Sequence, residues 1–93
     1  MKLAGKQVTA ARDLLGITQA ELSEATGVAL STVFRFEAGQ REPHRSNVEK
    51  LRAELERRGI EFTNGTGIGV RLNFEKAAEF ARTISSAQKG PNP

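Results

Sequence analysis

The stretch of residues 18–39, TQAELSEATGVALSTVFRFEAG, constrains the fold of this chain more than any other. Thr18 and Glu21 form a capping box at its start, because the Thr18 hydroxyl can accept the N–H of Glu21 while the Glu21 carboxylate accepts the N–H of Thr18. Gly27 suits the left-handed backbone position that follows a helix end. The pattern predicts two short helices joined by a tight turn at Gly27.

The second of these helices has two different sides. At helical spacing, Val33, Phe36 and Glu37 fall on one side of it. The opposite side carries Ser31, Phe34, Arg35 and Ala38. We therefore expect the first side to face the core and the second to face a partner.

Five positions in this stretch resemble the helix-turn-helix signature of the Xre family, the phage-repressor and Cro-like regulators. In that signature a glutamine opens the second helix, and a small residue, a glycine and an aliphatic residue follow four, eight and fourteen positions later. A Glu-x-Gly then closes the third helix. The matching residues are Gln19, Ser23, Gly27, Val33 and Glu37 with Gly39. The resemblance covers about residues 5–58 and implies a mainly α fold, with a repressor-like four-helix DNA-binding domain over residues 1–59.

Arg12 lies on or beside the apolar side of the first predicted helix, residues 5–15. In the Xre family an arginine here commonly pairs with the glutamate that closes the third helix, and Glu37 occupies that position. The resemblance therefore implies a bidentate, partly buried Arg12–Glu37 salt bridge. The alternative is an arginine that extends its charged head into water.

The third and fourth helices begin with different capping signals. Ala29 stands where many family members carry a Ser or Thr cap, and the missing cap should cost about 1 kcal/mol. Pro43 bars helix formation in the next loop, after which Ser46 and Glu49 form a second capping box. This predicts a fourth helix over residues 46–58.

Beyond Gly59 the apolar period changes from 3.6 to 2, which predicts a β-hairpin of residues 60–63 and 68–72. One register places the apolar residues on one side of the hairpin and opposite charges on the other. Its pairs are Ile60 with Leu72, Glu61 with Arg71, and Phe62 with Val70. Asn73 can then cap a last helix, from residue 74 to about 87, and residues 88–93 are predicted to form a flexible tail.

A lone hairpin is marginal in water, so it must pack on something or pair with a copy of itself. We interpret residues 60–87 as a dimerisation appendage. The residues predicted to make the dimer are Ile60, Phe62, Val70, Leu72, Phe74 and Phe80. The alternative is a monomer whose last helix folds back over its own hairpin.

The resemblance implies that the third helix enters the major groove of DNA. The candidates for base contacts are Leu30, Ser31, Thr32, Phe34 and Arg35. Arg35 is the foremost of them, because a guanidinium can bond bidentately to guanine. Phe34 stands where relatives more often carry a polar residue, and its ring either covers a thymine methyl group or packs over the neighbouring loop.

Phosphate contacts are expected on both sides of that helix. Gln19, with the N–H groups at the start of its helix, can hold a phosphate, and in related proteins it can also brace the recognition helix. The candidates on the other side are Arg41 and, with it, Gln40, His44 and Arg45.

Composition sets the remaining bounds. The formal net charge of +3 permits a nucleic-acid partner, and the lack of cysteine fits a reducing cytoplasm. No apolar segment is long enough to cross a bilayer, and no signal peptide is recognisable. His44 is the only histidine, so we expect no metal site. We expect no cofactor either, and the scattered serines lack a histidine and carboxylate partner for catalysis.

The sequence thus predicts a bacterial or phage-type transcriptional regulator, not an enzyme, located in the cytoplasm on nucleoid DNA. It would bind an inverted-repeat operator on double-stranded DNA as a homodimer. The alternative is an antitoxin or antirepressor-linked module, which binds a second regulatory protein through its C-terminal part while it regulates its own gene.

Overall fold

The computed structural model describes residues 2–89 of the chain, with side chains up to residue 85. Within this range the elements are α1 (Gly5–Leu15), α2 (Gln19–Thr26), α3 (Leu30–Glu37), α4 (Arg45–Arg57), β1 (Ile60–Thr63), β2 (Gly69–Leu72) and α5 (Phe74–Lys89). The predicted mainly α fold, with a hairpin and a final helix, is confirmed.

The turn between α2 and α3 follows the sequence pattern. The N–H of Glu21 donates to the Thr18 hydroxyl at 3.0 Å, and the N–H of Thr18 donates to the Glu21 carboxylate at 2.8 Å. Gly27 has φ +78°, the left-handed conformation that a glycine adopts without strain. The Ser23 hydroxyl also donates to the carbonyl of Val28 at 2.6 Å, so it holds the turn as well as being small.

The first four helices and the start of the hairpin enclose one apolar core. Its buried side chains are Leu3, Val8, Ala11, Leu22, Val28, Val33, Phe36, Leu51, Leu55 and Ile60. Val33 is fully buried, as its place in the helix-turn-helix pattern predicts. Gly5 gives α1 room against α3, since a Cβ there would collide with the carbonyl of Phe36.

The start of α4 differs from the prediction. The helix begins at Arg45 and not at Ser46, and its cap is His44, whose Nδ1 accepts the N–H of Ser46 at 3.2 Å. Pro43 does bar an earlier start, and the non-helical backbone of His44 (φ −56°, ψ 143°) lets its imidazole reach back to the helix. The predicted capping box of Ser46 with Glu49 is therefore wrong.

The hairpin has the predicted register, with Phe62 opposite Val70 and Glu61 opposite Arg71. Its apolar side packs on the chain's own core, where β2 lies against α1 and β1 against α4. Ile60 is only 2% exposed, so it cannot contact a partner in this fold.

The other predicted dimer residues of the hairpin are Phe62, Val70 and Leu72, and they are partly buried against the same core. The surface that we assigned to a second copy is therefore largely covered from within the chain. A two-stranded sheet is only marginally stable by itself in water, and here the helices of the same chain provide the surface on which it packs.

A buried glutamine fastens the hairpin to α1. Gln7 is 2% exposed, and its Nε2 donates to the carbonyls of Thr63 at 3.0 Å and Gly69 at 3.1 Å. Its Oε1 accepts the N–H of Ala4 at 2.9 Å, which also caps the start of α1. One side chain thus satisfies an N–H at the start of α1 and a carbonyl on each strand of the hairpin.

The last helix docks at the end of α4. Gly59 has φ +110°, and a Cβ there would lie 2.8 Å from the backbone nitrogen of Ala77. The guanidinium groups of Arg57 and Arg58 lie 4.8 and 5.0 Å from the ring centroid of Phe80, within cation–π range. The helix therefore packs beside the end of α4, and its Lys76 pairs with Glu61 of β1 at 3.3 Å. The choice between a dimer and a monomer whose last helix folds back over its own hairpin stays a prediction.

The cap of α5 agrees with the prediction, whereas the helix ends later than predicted. Asn73 caps the helix, since its Oδ1 accepts the N–H of Lys76 at 3.0 Å. The helix includes residues 88 and 89, which we had assigned to the tail, because the first helix-disfavouring residues are Gly90 and Pro91. The rest of that predicted tail, residues 90–93, lies outside the described residues.

Two classes of feature are absent from residues 2–89. None of their helices combines the length and the apolar character that a membrane crossing requires. None of their carboxylates and imidazoles gather in a group of three or more suited to a metal ion.

Gln7→Leu should lower the free energy of unfolding by about 1–3 kcal/mol, because the variant leaves buried polar groups without a partner. Urea unfolding followed by circular dichroism measures this change. Gln40→Leu is the matched control, since Gln40 is exposed and should have little effect on stability. Equal stability of the two variants would contradict the role given to Gln7.

Candidate functional site

The outward side of α3 is the most distinctive surface of the molecule. Ser31, Arg35 and Ala38 are exposed, while Leu30 is 48% and Phe34 is 54% exposed. At 100° per residue, Leu30 and Phe34 lie on one flank of this surface and Arg35 lies on the other. The partition predicted between an inner and an outer side of the helix is thus confirmed.

One flank of α3 adjoins the start of α2. A shallow groove there is lined by Leu30 together with Thr18, Gln19 and Ala20. The N-terminus of α2 carries a partial positive charge and N–H groups without helical partners.

The other flank of α3 adjoins the start of α4 across a cleft of ≈ 280 Å³. Its lining residues are Thr32, Arg35, Arg41, Pro43, His44 and Asn47. Because Nδ1 of His44 accepts a backbone N–H, the neutral ring carries its hydrogen on Nε2 and can donate it. Guanidinium, hydroxyl, imidazole and amide donors are a set that suits a phosphate oxygen.

The predicted phosphate contacts are divided between this cleft and its surroundings. Arg41 and His44 line the cleft. Gln40 instead lines a groove beside residues 2–5, and Arg45 lines another that it shares with Lys2 and Glu49. The structure therefore brings two of these four residues to the same face as Arg35.

The charges near α3 are unequally compensated. The carboxylate of Glu42 pairs with Lys2 at 3.3 Å, and that of Glu37 pairs with Arg12 at 2.7 Å. Arg35, Arg41 and Arg45 have no carboxylate within ion-pair distance among the described residues. The surface from α3 to the start of α4 is therefore positive.

A buried carboxylate fixes the orientation of α3. Oε1 of Glu37 accepts from Thr9 at 2.8 Å, from Arg12 at 2.7 Å and from Gln19 at 3.1 Å. Its Oε2 accepts from Nε of Arg12 at 2.8 Å, and the remaining Arg12 nitrogen donates to the carbonyl of Ile17 at 3.1 Å. The predicted bidentate Arg12–Glu37 bridge is confirmed, and the two side chains are 14% and 5% exposed.

Gln19 has the bracing role that the resemblance implied. Its amide donates to Glu37 and so ties the start of α2 to the end of α3. The amide has a second hydrogen, so the phosphate contact of Gln19 stays a prediction.

The network sets the ionisation of both partners. Burial by itself would raise the pKa of Glu37, but hydrogen bonds from Arg12, Gln19 and Thr9 and the charge of Arg12 hold it below its ordinary value of 4.5. The hydrogen bond to Glu37 raises the pKa of Arg12 further, against the effect of burial. Both groups are therefore charged at neutral pH.

Two residues of this region were missed by the sequence analysis. Thr9 lies one turn before Arg12 on α1, a spacing that would have placed its hydroxyl beside the same carboxylate. Asn47 lines the cleft from the first turn of α4. The predicted helix start also puts residue 47 in the first turn, but no local pattern shows that this turn lies beside α3.

Comparisons with known proteins agree with this geometry. A family model described as helix-turn-helix matches residues 8–61. Three mycobacterial proteins, one from Mycobacterium bovis and two from strains of Mycobacterium tuberculosis, are each 31% identical over 88 residues. Each is named an uncharacterized HTH-type transcriptional regulator, and the match covers 95% of this chain but 32% of the relative. The chain thus spans about a third of the length of these relatives.

Glu37→Ala should lower the free energy of unfolding at pH 7 by about 3–5 kcal/mol, because it leaves Arg12 buried without its partner. Since the folded pKa of Glu37 lies below 4.5, the stabilisation is complete above that pH and is lost as pH falls through the folded pKa. Urea unfolding between pH 7 and pH 3 should show the wild-type advantage shrink. Glu42→Ala removes an exposed carboxylate as the control, and the expected cost is about 0–1 kcal/mol.

Proposed function

The chain belongs to the Xre-type helix-turn-helix family, and from that premise we propose that it binds double-stranded DNA in a sequence-specific way to regulate transcription. The observation that carries the proposal is the outward side of α3, which lies between two surfaces suited to phosphate. One is the start of α2 and the other is the cleft that contains Arg41 and His44. A helix placed in the major groove has a phosphate strand on each side, so this arrangement matches its surroundings.

The exposed side chains of α3 would make the contacts with the bases. Arg35 extends from the flank beside the cleft, where a guanidinium can bond to O6 and N7 of guanine. Ser31 is exposed next to it and can bond to a base edge or a phosphate. The network around Glu37 fixes the position of α3 against α1 and α2, and with it the points from which these side chains extend.

The phosphate contacts would position the helix. Arg41 supplies a full charge at the loop after α3, and His44 supplies a donor at the start of α4. Such contacts are independent of base sequence and release counterions, so they make binding dependent on salt. Arg45 and Gln40 would contact phosphates of the same DNA strand at positions farther from α3.

We further propose that the protein binds an inverted-repeat operator as a homodimer, with half-sites about 34 Å apart. With the apolar side of the hairpin covered, the support for a dimer surface comes from α5. Phe74, in its first turn, is 81% exposed. Phe80, the other predicted dimer residue of this helix, is partly buried against Arg57 and Arg58.

Selection of bound duplexes from a random pool with the purified chain tests the proposal directly. We expect enrichment of an inverted repeat whose two halves lie about one helical turn apart. Failure to enrich any sequence at low salt would contradict sequence-specific binding. Enrichment of a single half-site would keep DNA binding and contradict the dimer.

Arg35→Ala should weaken binding to the selected duplex by about 1–3 kcal/mol and relax the preference at one base position. Arg41→Ala removes the same charge from the loop and is the matched comparison. It should weaken binding to all sequences and flatten the slope of log K against log salt by about one unit. Titrations at several salt concentrations separate the two effects, and identical behaviour of the two variants would refute the division of roles.

Phe74→Asp should shift the protein towards monomer in sedimentation velocity without loss of fold, because it places a charge in the proposed apolar contact. Ile68→Asp changes a residue that is 54% exposed in the hairpin loop and should leave the association unchanged. A wild-type protein that is monomeric at all concentrations would instead favour the alternative, in which this surface binds a second regulatory protein.

A further inference from the structure

Two apolar side chains stand side by side on the outward side of α3. The large apolar side chains that are exposed among the described residues are Leu14, Leu30, Phe34, Ile68 and Phe74. Leu30 and Phe34 are four positions apart on α3, which places them one turn apart on the same flank. We call this pair the apolar ridge of α3.

The ridge is not explained by packing within the chain. Phe34 keeps 54% of its surface exposed and Leu30 keeps 48%, so about half of each side chain still contacts water. Packing of the Phe34 ring over the neighbouring loop, the alternative given by the sequence, would account for the covered half of the residue and not for the exposed half. Apolar surface of this kind gains free energy only when another apolar group covers it.

The ridge also lies within the surface proposed to enter the major groove. Leu30 adjoins the start of α2 on one side, and Phe34 is followed by Arg35 on the opposite flank. The occupant of this position must therefore lie between two phosphate strands and present an apolar group. In the major groove of unmodified DNA that group is the 5-methyl of thymine.

We propose that Leu30 and Phe34 read the 5-methyl groups of thymines while Arg35, on the other flank of the same helix, reads guanine. The inference rests on the proposed function and specifies its substrate as a half-site that requires thymine methyl groups next to a G·C pair. Four residues of α-helix span about 6 Å, so the ridge covers methyl groups within about two base-pair steps of each other.

The proposal is specific to one chemical group, and uracil removes that group alone. Deoxyuridine pairs with adenine as thymidine does, but it lacks the 5-methyl. The test uses the duplex selected by the full chain, resynthesised with deoxyuridine at one thymidine of each half-site at a time. Dissociation constants are measured by fluorescence anisotropy at one fixed salt concentration.

At one or two positions of each half-site, deoxyuridine should weaken binding by about fourfold for every methyl lost, the effect of uncovering one methyl or methylene group. Phe34→Ala and Leu30→Ala should bind the thymidine duplex more weakly. Each variant should also lose the preference for thymidine over deoxyuridine at its own position. This coupling distinguishes direct contact from an effect of uracil on DNA shape, which would persist in both variants.

Two exposed residues outside α3 provide matched controls. Ile68→Ala removes an apolar side chain with the same 54% exposure as Phe34, and Leu14→Ala removes one that is 47% exposed, close to Leu30. Both controls should keep the full response to deoxyuridine.

The outcomes separate this inference from the function on which it rests. If no duplex is bound, both fail. If the duplex is bound and deoxyuridine has no effect, or has the same effect in wild type and in both α3 variants, the ridge does not read methyl groups and the proposed DNA binding stands.

Discussion

The carboxylate of Glu37 fixes the orientation of α3 relative to α1 and α2, and so decides which side of α3 faces outward. Its two oxygens accept four hydrogen bonds from side chains of α1 and α2, so three helices meet at one buried negative charge. A buried charge of this kind is tolerated because Arg12 is beside it and both carboxylate oxygens accept hydrogen bonds. The outward side of α3 is left for other contacts, because the inward side is fully engaged.

The predictions that depended on local patterns agree with the structure. The hairpin register followed from the alternation of apolar and polar residues, and the cap of α5 followed from Asn73 before an apolar run. Alternation shows that Ile60 has an inward side, but it does not say which chain provides the surface. Here the helices of the same chain provide it, so the domain extends beyond its four-helix part.

The residues that the sequence did not reveal act over long separations or in unusual roles. Gln7 bonds to the carbonyl of Thr63, which lies 56 positions away, and no local pattern predicts that contact. His44 caps α4 in place of Ser46 because its ring nitrogen reaches the helix, although imidazole is an uncommon cap. The motif positions around α3, by contrast, were predictable because each satisfies a local geometric need of two crossing helices.

The unpaired arginines near α3 would affect how the molecule approaches DNA. Arg35 and Arg41 share one face and have no carboxylate partner among the described residues, whereas Arg57, Arg58 and Arg71 pair with carboxylates elsewhere. The uncompensated guanidinium groups give the face of α3 a positive potential. In the field of a polyanion such a molecule is rotated before it makes contact, so productive orientations are favoured over random ones during encounter.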